Sequence, residues 1–281
     1  EGTYHLLNQL RSIYPEGEAA QITDWVMEYL TGSKKAERMI YKNAAITHEE
    51  EMQLKRYTER LLQHEPVQYV LNEAWFCGMK FYVDKNVLIP RPETEELVEW
   101  AVNEVGSMKY DVRILDVGTG SGCIAIALKN KLPEAEVWGC DISDEALLVA
   151  RKNADNLNAL VDFVPLDFLD DNQWKQLPNV DILVSNPPYV PEKDKEQMQP
   201  NVLNYEPSSA LFVPDNDPLI FYKAIAEFGK QKLNANGVIY VEIHESIGET
   251  VTQLFKSKGY STELRKDMQG KDRMLRAVSG F

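Results

Sequence analysis

The chain is poor in cysteine and has no long apolar run, and each shortage excludes a class of protein. The three cysteines, Cys77, Cys123 and Cys140, are odd in number and lack the spacing of a metal site, so we expect free thiols in a reducing compartment. No apolar run approaches the ~20 residues of a membrane span. Residues 1–30 lack the basic start and apolar core of a signal peptide. These features predict a cytoplasmic protein without a metal ion or a membrane partner.

Positive charge is also scarce. The chain has 30 Lys and Arg against 44 Asp and Glu, which gives a formal net charge of -14. Such a chain is repelled by nucleic acid unless a basic patch intervenes, and the basic residues near the C-terminus lie among acidic ones. We therefore expect no direct nucleic-acid partner. The 281 residues and the hydrophobic fraction of 44% are typical of a soluble globular protein with one large or two modest domains.

Hydrophobic periodicity divides the chain into three parts. Residues 1–66 have apolar residues at helical spacing, and Thr47 with Glu50 forms a capping-box pattern, so we predict a small helical N-terminal domain. Residues 67–86 predict a β-hairpin linker. In residues 87–281 strands alternate with helices, and two strands close the chain. This pattern predicts an α/β fold, a doubly wound and mostly parallel seven-stranded sheet that ends in an antiparallel hairpin.

The first strand of the predicted sheet ends in a glycine-rich turn, "DVGTGSG" at 116–122. Glycines at a strand-to-helix turn let the backbone approach a ligand closely. The third glycine comes one residue earlier than in the dinucleotide fingerprint, and the Asp116 carboxylate would repel a pyrophosphate but attract an ammonium or sulfonium group. This favours S-adenosylmethionine and disfavours a nicotinamide dehydrogenase, which has the same fold. The predicted cofactor contacts are Asp116, Gly118, Thr119, Gly120, Ser121 and Gly122.

Acidic residues also follow the second and third predicted strands. Asp141 is placed to accept hydrogen bonds from both ribose hydroxyls, which serves a nicotinamide cofactor or S-adenosylmethionine equally. Asp167 could face an adenine amino group, and the Phe168 ring could pack on the adenine, although either residue could equally be an ordinary loop residue. Because ligands bind at the carboxyl edge of such sheets, we predict that all three residues contact the cofactor.

The fourth predicted strand ends in Asn186-Pro187-Pro188-Tyr189. The prolines donate no backbone N–H and stiffen the turn, which leaves the Pro187 carbonyl free to accept a hydrogen bond. This carbonyl and the Asn186 side-chain oxygen would together hold the two hydrogens of a planar NH₂ group, on which the Tyr189 ring would stack. We predict that Asn186, Pro187 and Tyr189 are catalytic by positioning such a nitrogen, that Pro188 also binds the substrate, and that Asn186 also contacts the cofactor.

The motifs resemble those of the peptide chain release factor glutamine N5-methyltransferases, a family of class I S-adenosylmethionine-dependent methyltransferases. The resemblance covers essentially the whole chain and implies a class I methyltransferase domain over residues 87–281. It also implies transfer of a methyl group to the side-chain nitrogen N5 of the glutamine in the Gly-Gly-Gln motif of release factors. The matching segments are "VLIPRPETE" at 87–95, "DVGTGSG" at 116–122, "VSNPPYV" at 184–190, "YEPSSAL" at 205–211 and "KDMQGKDR" at 266–273.

The same resemblance assigns roles and marks departures. It implies that residues 118–122, Asp141, Phe168 and Asn186 contact the cofactor and that residues 186–189 contact the glutamine. Independently of the resemblance, we expect the helical N-terminal domain to dock the substrate. The family often has tryptophan at Phe168, and a glycine is usual where His244 stands, for which we favour a surface or packed histidine over a catalytic base. We expect a monomer.

The sequence leaves three other activities open. A ribosomal-protein glutamine methyltransferase would share the catalytic core. Adenine-N6 DNA methylation would need phosphate contacts, against which the acidity of the chain argues. A cofactor-binding protein without turnover is disfavoured by the intact Asn186 and Tyr189.

Overall fold

The computed structural model describes residues 2–40, 46–105 and 112–280, which fall into two compact units. The first unit comprises Glu1–Glu73 and Gln199–Tyr205, and the second comprises Ala74–Met198 and Glu206–Phe281. The roles that the sequence assigned to the domains stay predictions. Within the described residues no helix is long and apolar enough to cross a membrane.

The first unit is helical, as the sequence predicted. Its core contains fully buried Leu10, Val26 and Leu61. The Thr47 hydroxyl accepts a hydrogen bond from the Glu50 amide (3.2 Å), and the Glu50 carboxylate accepts one from the Thr47 amide (2.6 Å), which confirms the capping box. The helices among the described residues of its first segment are α1 (Gly2–Leu10), α2 (Glu16–Thr31), α3 (Lys35–Ile40), α4 (His48–Leu61) and α5 (Val67–Leu71).

A segment from late in the chain completes this unit. Residues 199–205 form one short helical turn, and the Tyr205 hydroxyl donates a hydrogen bond to the Gln63 carbonyl (2.8 Å). The unit is therefore discontinuous in sequence, which the hydrophobic pattern did not indicate.

The second unit begins with a hairpin and continues as alternating strands and helices. Cys77 (φ 50°) and Gly78 (φ 74°) form the two-residue hairpin turn, where both residues have the positive φ that such turns require. The helix α5 occupies residues 67–71, so the hairpin itself is confined to residues 74–81. The strands and α-helices that follow are β1 (Ala74–Phe76), β2 (Met79–Phe81), α6 (Pro92–Val105), β3 (Arg113–Val117), α7 (Cys123–Lys131), β4 (Glu136–Asp141), α8 (Asp144–Asn156), β5 (Asp162–Pro165), β6 (Val180–Ser185), β7 (Val190–Pro191), α9 (Pro200–Leu203, in the first unit), α10 (Ser208–Leu211), β8 (Phe212–Val213), α11 (Ile220–Lys232), β9 (Leu233–Glu242), α12 (Gly248–Ser257), β10 (Tyr260–Lys266) and β11 (Asp272–Ser279).

Seven of these strands form one sheet in the order β10-β11-β9-β6-β3-β4-β5. All neighbours are parallel except β11, which pairs antiparallel with both β10 and β9. This confirms the predicted doubly wound, mostly parallel seven-stranded sheet and its antiparallel C-terminal pair. The final strand is inserted between β9 and β10, so β10 forms the edge of the sheet.

The chain reverses its direction of winding between β3 and β6, which lie side by side at the centre of the sheet. In their register Val117 lies opposite Ser185, and the Ser185 hydroxyl donates a hydrogen bond to the Val117 carbonyl (2.7 Å). All six residues of β6 are buried, as expected of a central parallel strand covered on both faces. The turns that follow β3 and β6 therefore start at neighbouring points on the carboxyl edge, where ligands of doubly wound sheets bind.

Candidate active site

The glycine turn after β3 has an open backbone. Gly118, Gly120 and Gly122 all have positive φ, at 72°, 53° and 79°. A Cβ atom added at Gly118 or Gly120 would meet no atom within 4 Å, whereas one at Gly122 would lie 3.2 Å from the Ala150 Cβ of α8. The first two glycines thus face open space that a ligand can occupy, and the third permits the close packing of α7 against α8.

Asp116, the acid at the end of β3, is fully buried. Its Oδ2 accepts hydrogen bonds from the Thr119 hydroxyl (2.6 Å) and the Ala125 amide (3.3 Å), whereas Oδ1 has no partner among the described residues. Burial raises the pKa of this carboxyl to about 7. An unpaired buried carboxylate oxygen beside an open glycine turn fits a ligand that carries positive charge.

Asp141 joins the glycine turn to α8. Its Oδ2 accepts a hydrogen bond from the Gly120 amide (2.8 Å), its Oδ1 accepts one from the Ser143 amide (3.0 Å), and burial raises its pKa. Each oxygen retains a lone pair for a ligand hydroxyl. The next residue, Ile142, is 64% exposed and was missed by the sequence reasoning. Its place directly after the acid that ends β4 puts this exposed apolar side chain at the carboxyl edge of the sheet.

The residues after β5 are less open than the sequence predicted. Phe168 is only 5% exposed, and its ring packs against Trp174 (5.6 Å between ring centroids) and Phe228 (5.2 Å) in the core. The Asp167 Oδ1 accepts a hydrogen bond from the Leu169 amide (2.9 Å). Their predicted contacts with adenine stay predictions, and the packing favours a structural role for the Phe168 ring.

The turn after β6 presents two unused acceptors. The Asn186 Nδ2 donates a hydrogen bond to the Thr94 hydroxyl oxygen (3.2 Å), and the Thr94 hydroxyl donates one to the Glu242 Oε2 (2.6 Å). Among the described residues no group donates to the Asn186 Oδ1 or to the Pro187 carbonyl. These two oxygens are the acceptors that the sequence assigned to a substrate NH₂ group.

Thr94 and Glu242 are site residues that the sequence reasoning did not single out. Thr94 lies within "PRPETE", a motif that the resemblance matched without assigning a role to Thr94. Glu242 ends β9, the neighbour of β6 in the sheet. An acid at the end of a strand, like Asp116 in β3 and Asp141 in β4, was the signal for Glu242.

Tyr189 lies between the sheet edge and a histidine. Its ring centroid is 5.8 Å from that of His244, and burial raises the pKa of its hydroxyl, which keeps the phenol neutral. The His244 side chain is exposed, with Nδ1 2.7 Å from the Ser246 hydroxyl oxygen. The histidine therefore lies at the outer side of the tyrosine ring, as a surface residue.

A buried ion pair joins two of the motif segments beside the site. Glu206, 5% exposed, accepts hydrogen bonds from the Ile89 amide (3.1 Å) and from the Arg91 guanidinium (2.5 Å). This pair ties the chain before α6 to the loop before α10, which are the segments "VLIPRPETE" and "YEPSSAL". Both segments are thereby held next to the end of β6, because Thr94 bonds Asn186.

Comparisons with known proteins agree with this architecture. The family model of the methyltransferase small domain matches residues 102–205, and that of the PrmC N-terminal domain matches residues 5–71. The release factor glutamine methyltransferase of Flavobacterium psychrophilum is 42% identical over 95% of this chain and 94% of its own, and that of Bacteroides thetaiotaomicron is 41% identical over 98% of each. A methyltransferase structure from Pyrococcus furiosus shares the fold, with a TM-score of 0.52 and 18% identity over 73% of this chain and 91% of its own.

The sheet order and the matched domain define a methyltransferase. With this identity over almost its full length, the chain belongs to the release factor glutamine methyltransferase family. The comparisons thus confirm the resemblance that the sequence motifs indicated.

The two outer glycines of the turn give a matched test of the packing. Gly118→Ala and Gly122→Ala both place a side chain at a positive φ, which costs about 1–2 kcal/mol. Only the Cβ at position 122 meets α8, so we expect Gly122→Ala to lose about 1–3 kcal/mol more in the free energy of unfolding, the usual scale of overpacking. Urea denaturation of the full chain measures both, and equal losses would contradict the packing role of Gly122.

Proposed function

We propose that this chain transfers a methyl group from S-adenosylmethionine to the side-chain nitrogen N5 of the glutamine in the Gly-Gly-Gln motif of a peptide chain release factor. The observation that carries the proposal is the open pair of acceptors, the Asn186 Oδ1 and the Pro187 carbonyl, at a turn beside the open glycine backbone. Membership of the family supports the same activity.

Residues on the glycine side fit S-adenosylmethionine. The open backbone at Gly118 and Gly120 leaves room for the ligand, and the unpaired Asp116 Oδ1 suits its ammonium group. We assign Asp141 to the ribose hydroxyls and place the exposed Ile142 side chain against the adenine. When bound, S-adenosylmethionine supplies the methyl group as an electrophile on sulfur.

Residues on the Asn186 side fit a primary amide. An amide nitrogen is a poor nucleophile because its lone pair is delocalised, and its two hydrogens lie in the amide plane. The Asn186 Oδ1 and the Pro187 carbonyl would accept these two hydrogens, and the Tyr189 ring would cover the plane. Holding the nitrogen in one orientation is positioning catalysis, which requires no strongly basic side chain.

The release factor is the proposed partner, and the first unit is proposed to dock it. The acidic chain disfavours adenine-N6 DNA methylation, because it would repel the phosphates. A ribosomal-protein glutamine as the substrate would use the same site, so the substrate protein distinguishes the two. A cytoplasmic location and a monomeric state stay predictions.

Mass spectrometry of a release factor incubated with the chain and S-adenosylmethionine tests the proposal. We expect the mass of one methyl group on the glutamine of the Gly-Gly-Gln peptide. Ribosomal proteins and duplex DNA are the comparison substrates in the same assay. Methylation of either of these, with an unmodified release factor, would overturn the proposal.

Asn186→Ala removes one of the two acceptors. If orientation of the amide carries the rate, turnover should fall by about 10²-fold or more, because misplacing a reacting group has this effect. Affinity for S-adenosylmethionine should fall less, since the glycine turn and Asp141 remain. Tyr189→Phe keeps the ring face and should be mild, whereas Tyr189→Ala should be severe. A Phe variant as slow as the Ala variant would show that the hydroxyl is used, against the stacking role.

The buried Asp116 predicts a pH dependence of cofactor binding. Its carboxyl has a pKa of about 7, so below that pH it is protonated and must lose a proton before it can attract an ammonium group. Affinity should therefore rise with pH by up to about tenfold per unit until about pH 7 and level off above it. Titration calorimetry in buffers of different ionisation enthalpy measures the released proton. Asp116→Asn should bind more weakly and lose this proton release; an unchanged release would remove Asp116 from the site.

A further inference from the structure

Three buried or half-buried polar side chains form a hydrogen-bonded relay behind the amide acceptor. It runs from Asn186 at the end of β6 through Thr94 in α6 to Glu242 at the end of β9. Thr94 and Glu242 are each 2% exposed. The links are the 3.2 Å bond from the Asn186 Nδ2 to the Thr94 oxygen and the 2.6 Å bond from the Thr94 hydroxyl to the Glu242 Oε2.

The chemistry of these groups allows the hydrogen bonds of the relay to run in only one direction. An ionised carboxylate only accepts hydrogen bonds, so Glu242 takes the single hydrogen of the Thr94 hydroxyl. The Thr94 oxygen then has only lone pairs to offer and must accept from its other neighbour. Asn186 can satisfy it only with its NH₂ group, and because the amide is planar its Oδ1 must point the other way.

We propose that Thr94 and Glu242 are positioning residues that fix the orientation of the Asn186 amide, so that its oxygen and not its nitrogen faces the substrate. The inference rests on the proposed function, because it concerns the acceptor for the glutamine amide. A flipped Asn186 would place its own NH₂ hydrogens against those of the substrate, and two donors cannot bond each other. The flip would also place the Asn186 oxygen against the Thr94 lone pairs, so the relay disfavours it on both sides.

The surroundings of Glu242 fix its position and determine the pH at which it is ionised. The Tyr222 hydroxyl in α11 donates to the backbone carbonyl of Glu242 (3.0 Å), which fixes the end of β9 next to α11. Burial raises the pKa of the Glu242 carboxyl to about 7, while the hydrogen bond from Thr94 and the charges of Arg273 and Arg91 oppose that shift. The carboxylate form prevails above this value, so the tests below are set at about pH 8, one unit higher.

The orientation itself is measured by NMR of the cofactor-free protein. The side-chain NH₂ signals of Asn186 are assigned by their loss in Asn186→Ala. In the parent and in Thr94→Ser, which keeps the hydroxyl, we expect one NH₂ hydrogen to exchange slowly with water. In Thr94→Val, which keeps the shape but not the acceptor, both hydrogens should exchange at the rate of a free amide. A folded Thr94→Val with unchanged Asn186 signals would overturn the proposal.

Kinetics measure what the orientation contributes. Thr94→Val should lower kcat on a release factor by about 10–100-fold with little change in KM or in affinity for S-adenosylmethionine, because the substrate still binds but its nitrogen is misplaced. Thr94→Ser should restore kcat. Thr252→Val is the matched control: Thr252 is also buried, its hydroxyl donates to the Gly248 carbonyl (2.8 Å) within α12, and its loss should leave kcat unchanged.

Glu242→Gln tests the other end of the relay without changing its size. A glutamine side chain can donate as well as accept, so the Thr94 hydrogen is no longer committed to residue 242 and both orientations of Asn186 become available. We expect an intermediate loss of kcat and faster exchange of the Asn186 NH₂ hydrogens. Exchange and kcat like those of the parent would overturn the role of Glu242.

The two readouts separate this inference from the proposed function. If the parent does not methylate a release factor but its Asn186 signals depend on Thr94, the proposed function fails and the relay stands. If the parent methylates the release factor and Thr94→Val turns over as fast as the parent, the proposed function stands and the relay fails.

Discussion

The parallel pairing of β3 with β6 is the constraint on which the site depends. Val117 and Ser185 lie opposite each other as the last residues of their strands, so the glycine turn and the asparagine turn begin at the same level of the sheet. Backbone hydrogen bonds therefore hold the proposed cofactor side and the proposed substrate side in register. A shift of the pairing by one residue would turn the side chains of β6 to the opposite face. It would also change the direction in which Asn186 leaves the strand.

The same edge carries carboxyl groups that the fold stabilises poorly. Asp116 and Glu242 are both almost completely buried, and desolvation raises the pKa of each to about 7. The Thr119 hydroxyl and the Ala125 amide donate to the Asp116 carboxylate, and the Thr94 hydroxyl donates to that of Glu242. Burying a charge with incomplete compensation costs stability. Both positions therefore depart from an apolar core, and they flank the two halves of the proposed site.

The sequence predicted the fold well because strand and helix periodicity reports directly on which faces are buried. It also placed the glycine turn, Asp141 and the asparagine turn on one edge, since a parallel sheet brings the carboxyl ends of its strands together. It could not find the link from Thr94 to Glu242, because those residues are 148 positions apart and the contact depends on how α6 packs on the sheet. Phe168 shows a second limit of the sequence, because an aromatic residue after a strand can contact a ligand or pack in the core equally well. Only its packing against Trp174 and Phe228 distinguishes these two roles.

The discontinuous make-up of the helical unit constrains the order in which the protein can be completed during synthesis. Residues 199–205 leave the ribosome only after β3 to β6 have been made, yet the bond from Tyr205 to Gln63 belongs to the unit that contains residues 1–73. The surface of residues 1–73 that residues 199–205 contact therefore stays exposed to solvent while more than a hundred further residues are translated. This unit therefore begins before the sheet in the chain but is completed after most of its strands, and a fragment that ends at residue 73 lacks a part of its own structure.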